Sequence, residues 1–189
     1  MMKSALYFAT AVVAAAHPNH GTLPTTTSAP PEAPPAELIG HGDLQYRVHR
    51  DWSTADKNEA PVVNAHAIIE DQKGELYLVT DHPENAFLVY KKDGTFVRAF
   101  GKGIPGGHGI DVITIDGKEH LLHVDCGWHV DADGKPTRTN GAIRIVAKDG
   151  TVVRSLPSPH QLGLFDAETL YQPCDVAVTP DNDILVVDG

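Results

Sequence analysis

Cysteine is nearly absent: Cys126 and Cys174 are the only two in 189 residues, too few for a disulfide-stapled scaffold. Positive charge is also scarce. Fifteen Lys and Arg against 25 Asp and Glu leave a formal charge of −10. That excludes nucleic acid or an anionic membrane surface as the main partner, since both need a basic face. No apolar run approaches the roughly 20 residues of a membrane-spanning helix; Ala5 to Ala16 has 12. Two catalytic signatures are missing as well. There is no G-x-S-x-G nucleophile elbow. The Gly-rich stretch from Gly101 to Gly109 (GKGIPGGHG) neither opens a helix nor places a Lys as a phosphate loop does. No amphipathic helix of useful length is present, apart from a turn around Asp166 to Leu170.

What remains is globular in composition, 41% hydrophobic and 21% charged. Seventeen Gly and 14 Pro predict many turns between short elements. The N-terminus reads as a secretory signal over residues 1–16. Lys3 supplies the positive end, Ala5 to Ala16 the apolar run, and Ala14-Ala15-Ala16 an A-x-A cleavage pattern. Export to the periplasm or the extracellular space follows, with no membrane span in the mature chain. Residues 17–40 are a Pro/Thr-rich linker with almost nothing to bury, extended and polyproline-like in places. His17 and His20 lie in it as solvated residues, because two mobile side chains would bear the full ordering entropy of holding a metal.

The informative region is 41–189, which repeats itself. KDGTFVRAF (Lys92 to Phe100) returns as KDGTVVRSL (Lys148 to Leu156), each behind an alternating apolar run. Ahead of those runs stand ELYLVTD (Glu75 to Asp81) and HLLHVD (His120 to Asp125). The units open at Asn64 to Asp71 and Gly106 to Asp116, and a third begins at Pro173. From His66 to Asp81, His108 to Asp125 and Cys174 to Asp188 the spacing is 15, 17 and 14 residues. The second copy carries 12 extra residues within Cys126 to Asn140. Each unit predicts four short strands joined at Gly or Asn turns, with Asp-Gly marking type I′ hairpins. Four strands in 40 to 50 residues is the period of a propeller blade, roughly four to eight of which close a ring. Gly42 to Trp52 has the character of an outer strand. Residues 42–189 thus hold one outer strand, two full units and half of a third, the N-terminal portion of a longer partial β-propeller in an all-β fold.

On these residues the chain resembles the NHL-repeat six-bladed propellers. Within that group it resembles the peptidyl-α-hydroxyglycine α-amidating lyases. The resemblance covers about residues 42–189 and rests on the opening His or Pro-x-Asp, the strand closing on Asp, the Asp-Gly hairpin, and YQPCDVAVTPDNDILVVDG (Tyr171 to Gly189). It implies opening His residues that point into a central channel and hold zinc, a catalytic Tyr assisted by Arg, and a structural calcium. His66 and His108 are the matching positions. Ala65 and Gly107 stand where the family has Pro. A third His and the Tyr would fall beyond Gly189.

Equivalent positions on innermost strands converge on the propeller axis, so His66 and His108 can be zinc ligands or can hydrogen-bond across a wet channel. His120 and His123 point to opposite faces of their strand and cannot serve one metal. His123, Cys126 and His129 have an H-x-x-C-x-x-H spacing, without a fourth ligand at motif spacing. The insertion reads instead as a loop at the channel mouth, with Trp128 and His129 contacting a ligand. Asp131, Asp133 and Gly134 echo a calcium loop but lack its acidic twelfth position. Cys126 and Cys174 occupy nearby places in different units, and their pairing stays open.

Two function classes are consistent with this pattern. One is a zinc-dependent lyase acting on a small-molecule or peptide carbinolamide. The other is a non-catalytic module that holds a protein, peptide or glycan, because propellers host many functions.

Overall fold

The computed structural model describes residues 37–130 and 135–189, which form two units divided after Trp52. The secretory signal, the linker up to residue 36 and the calcium-loop candidate Asp131, Asp133 and Gly134 lie outside the described residues. In the first unit, β1 (Glu37–His41) pairs antiparallel with β2 (Leu44–Val48). The expected outer strand therefore has a partner of its own, drawn from the end of the linker segment.

The second unit is all-β. Its first sheet is a four-stranded antiparallel meander of β3 (Ala65–Glu70), β4 (Leu76–Thr80), β5 (Phe87–Tyr90) and β6 (Phe96–Phe100). The next is ordered β7 (Gly107–Ile115), β8 (Lys118–Asp125), β11 (Ala142–Val146) and β12 (Val152–Ser155). Between β8 and β11 the inserted residues form a separate hairpin, β9 (Trp128–Val130) with β10 (Pro136–Arg138), where the sequence predicted a loop. β13 (Pro173–Val178) and β14 (Ile184–Asp188) form a third, two-stranded sheet. No helix occurs among the described residues, so none there is long and apolar enough to cross a membrane.

The turns explain why the repeat folds the same way each time. At Asp71–Glu75, Lys91–Thr95, Ala147–Thr151 and Thr179–Asp183, the first residue's N–H donates to the carbonyl of the fifth. The fourth residue donates back to the first carbonyl and has positive φ: Gly74 80°, Gly94 88°, Gly150 93° and Asn182 65°. This is a type I turn with its last residue left-handed, the common longer hairpin connection. Asp93 and Asp149 accept from the N–H two residues on, at 2.9 and 2.8 Å, which braces the turn's exit. Type I′ geometry, expected at each Asp-Gly, occurs among the described residues only at Asp116-Gly117, where both residues have positive φ.

The sheets stack. Tyr77, Val79, Phe87 and Val89 of the first meet Ile110, Leu121 and Val146 of the second in one core. The opposite face of the second sheet puts Ile113, Leu122, Val124, Ile143 and Ile145 against Tyr171 and Val176 in another. Burial on both faces accounts for Leu121, Leu122 and Val124 being apolar on both sides of the strand, and each such aliphatic side chain contributes about 1.5–3 kcal/mol. Lys148 ties the first two sheets together, its Nζ 2.6 Å from both Asp71 Oδ2 and Glu119 Oε2. Burial opposes the charge on Asp71, but Lys148 and the N–H groups of Glu75 and Lys73 overcome it and hold that carboxyl below its ordinary range. The third sheet leaves Leu185 and Val187 60% exposed.

His123 is the anomaly of the core. It is fully buried, its ring packs edge-on to Phe87 at 5.5 Å, and both ring nitrogens lack a hydrogen-bond partner among the described residues. Burial, reinforced by the Arg144 guanidinium, pushes its pKa down to about 3. The unfolded chain, with a His near 6.5, then binds more protons than the folded one between those values. Stability attributable to His123 is complete above pH 6.5 and is lost as pH falls toward 3, by at most about 5 kcal/mol. We expect His123→Leu to raise stability by about 1 kcal/mol at pH 8. Urea unfolding as a function of pH should show a shallower loss for that variant than for the wild type between pH 6.5 and 4.

Candidate functional site

Opening strands β3, β7 and β13 share a local irregularity. Their pairing registers shift between Ala65 and Ala67, between Gly107 and Gly109, and between Pro173 and Asp175. The bulged residues are His66, His108 and Cys174, the positions that the repeat spacing makes equivalent. A bulge leaves one residue unpaired and re-aims its side chain. All three line one cavity of about 970 Å³.

Glycine makes the convergence possible. A Cβ on Gly107 would stand 2.3 Å from the Thr80 carbonyl oxygen, and one on Gly109 would stand 2.9 Å from the Cys174 carbonyl oxygen. Without side chains, β7 approaches both neighbouring sheets closely. The imidazoles of His66 and His108 stack with centroids 4.5 Å apart and planes inclined by 26°. His108 Nδ1 lies 2.8 Å from the Cys174 carbonyl oxygen, which only accepts, so Nδ1 is the donor of that hydrogen bond. His66 Nε2 faces Asp81 Oδ2 at 3.9 Å. Asp81 is held by Asn64, whose backbone N–H and side-chain amide donate to its two oxygens at 2.8 and 2.6 Å. Burial lowers the His66 pKa, the His108 ring adds to that, and Asp81 opposes it.

The inserted hairpin also lines this cavity. Trp128 and His129 both line the cavity, together with Pro136 and Arg138. His129 Nε2 lies 3.5 Å from Asp125 Oδ1. Asp125 is buried and also engages Arg144 at 3.0 Å and the Gly127 N–H at 2.9 Å. The floor includes Ile104 and Pro105 from the Gly-rich connection. Cys126 and Cys174 line the cavity as free thiols, and burial pushes the Cys126 thiol up against a hydrogen bond from the Trp128 N–H.

His123 stands apart from its motif partners: it lies in the core, whereas Cys126 and His129 face the cavity. The H-x-x-C-x-x-H spacing therefore makes no common site. Among the described residues, no group of three or more His, Cys, Asp or Glu side chains is arranged to hold a metal. Sequence reasoning missed Arg138. Its signal was the cross-strand register of the insertion, which sets Arg138 opposite Trp128.

We expect Gly107→Ala to force β7 away from Thr80. Thermal unfolding should show a loss of about 1–3 kcal/mol, the usual cost of overpacking. In a chain that still folds, the ring-current shifts that His66 and His108 impose on each other should shrink.

No protein-family model, curated protein or solved structure matches the chain.

Proposed function

We propose that the protein is an exported propeller of the NHL type, and that its cavity carries a zinc-dependent lyase activity of the peptide α-amidating kind on carbinolamide-like substrates. The observation that carries this reading is the placement of two imidazoles, from equivalent bulges on adjacent sheets, in one cavity wall. The donor chemistry fits a metal. His108 donates a hydrogen bond from Nδ1 to a backbone carbonyl, the arrangement that leaves Nε2 free to ligate, and Asp81 faces His66 as an orienting carboxylate. The reading needs a third donor, and the family pattern draws it from another repeat, along with the acid/base Tyr.

Zinc held there would polarise a substrate oxygen and lower its pKa. In a carbinolamide, the hydroxyl proton leaves, the C–N bond breaks, and the amide nitrogen takes a proton, giving an amide and an aldehyde. Among the imidazoles that line the cavity, His129 stands 3.5 Å from Asp125 and would be placed to assist removal of the hydroxyl proton. Ile104, Pro105 and Trp128 would exclude water from the bond being broken.

A second reading, a module that binds a protein, peptide or glycan without chemistry, is favoured by Trp128, which stays 47% exposed on an inserted hairpin at the cavity wall. Zinc titration followed by elemental analysis separates the two. The lyase reading predicts that His66→Ala and His108→Ala each weaken zinc retention by at least about tenfold. Zinc retention that both variants leave unchanged contradicts it.

A further inference from the structure

Arg138 closes β10 directly across from Trp128, and its guanidinium carbon lies 4.7 Å from the indole centroid. Both side chains line the cavity. Among the described residues no carboxylate lies within ion-pairing distance of Arg138. Lys92, Arg98, Lys102, Arg144 and Lys148 each stand beside a carboxylate, whereas Lys57, Lys73, Lys91, Lys118 and Arg154, like Arg138, have no ion pair among the described residues; what distinguishes Arg138 is its place over Trp128 in the cavity. Asp81, the acidic side chain of the same cavity wall, is engaged by Asn64 and faces His66.

A guanidinium laid over an indole is restrained in its plane by the cation–π contact but keeps its N–H donors directed outward in that plane. That lowers the ordering cost of receiving a planar or tetrahedral oxyanion, which such a fork binds through two parallel hydrogen bonds. The cavity that holds it is also lined by the apolar Ile104, Pro105 and Val63. We infer that Arg138, stacked on Trp128, anchors the oxyanion of a small and otherwise apolar anionic ligand, either a carboxylate or a phosphate monoester. The inference rests on this cavity being the ligand site of the proposed function, and not on the zinc.

The test is calorimetric titration of the full chain with N-acetyl-leucine, N-acetyl-leucinamide and phenyl phosphate. The wild type should prefer one of the two anions over the neutral amide by at least about tenfold, and the preferred anion identifies the source of the charge. Arg138→Gln should abolish that ratio, and Arg138→Lys, which keeps the charge without the fork, should retain part of it. The ratio is the readout because a hairpin that merely loosened would weaken anion and amide alike. Three results overturn the inference: equal binding of anion and amide, no anion binding up to about 10 mM, or a ratio that Arg138→Gln leaves intact. Repeating the series in EDTA keeps the two proposals separable. Loss of the zinc reading leaves the anion preference in place, and loss of the anion preference leaves zinc retention unchanged.

Discussion

The close passage of β7 between its neighbours governs the architecture of the second unit. On one side it packs on β3 and β4, on the other on β13, and it does so at Gly107 and Gly109 because any side chain there would collide with backbone. His108 sits between those two glycines. The contact that lets the sheets stack is therefore also the contact that delivers its ring to the cavity. With His66 and Cys174 bulged at the equivalent places, one geometric device is used three times, and the cavity is where its products meet.

Much of this was legible in the sequence because the repeat repeats its turn chemistry. Gly74, Gly94, Gly150 and Asn182 recur at the one turn position that needs positive φ, so strand number and order could be read from them. Burial of the second sheet on both faces is seen in Leu121 on one side and Leu122 and Val124 on the other. The convergence of His66 and His108, with Trp128 and His129 nearby, followed from treating the copies as stacked equivalents.

Other features were hidden for physical reasons. The Asp-Gly dipeptide serves more than one turn type, and loop length decides which: two residues between β7 and β8 gave the primed turn, whereas the five-residue closures did not. A bulge leaves no mark in composition, so its coincidence with the opening residues had to be seen in the pairing. His123 looked like a member of a metal motif because spacing carries no burial; the alternation that sends Leu122 to one core sends His123 into the other. Arg138 was overlooked because the insertion was read as a loop, and a loop has no cross-strand partners. The pairing of Leu44–Val48 with Glu37–His41 depended on residues assigned to the linker.

The central claim is that His66 and His108 face each other across the junction of two sheets. Nuclear Overhauser spectroscopy on histidine-labelled protein tests it directly, with His66→Gln and His108→Gln providing the assignments. Rings stacked at 4.5 Å predict a strong cross-peak between their protons, at least as intense as that between Phe87 and His123, whose centroids are 5.5 Å apart. A spectrum that shows the Phe87–His123 contact without the His66–His108 contact would contradict the account.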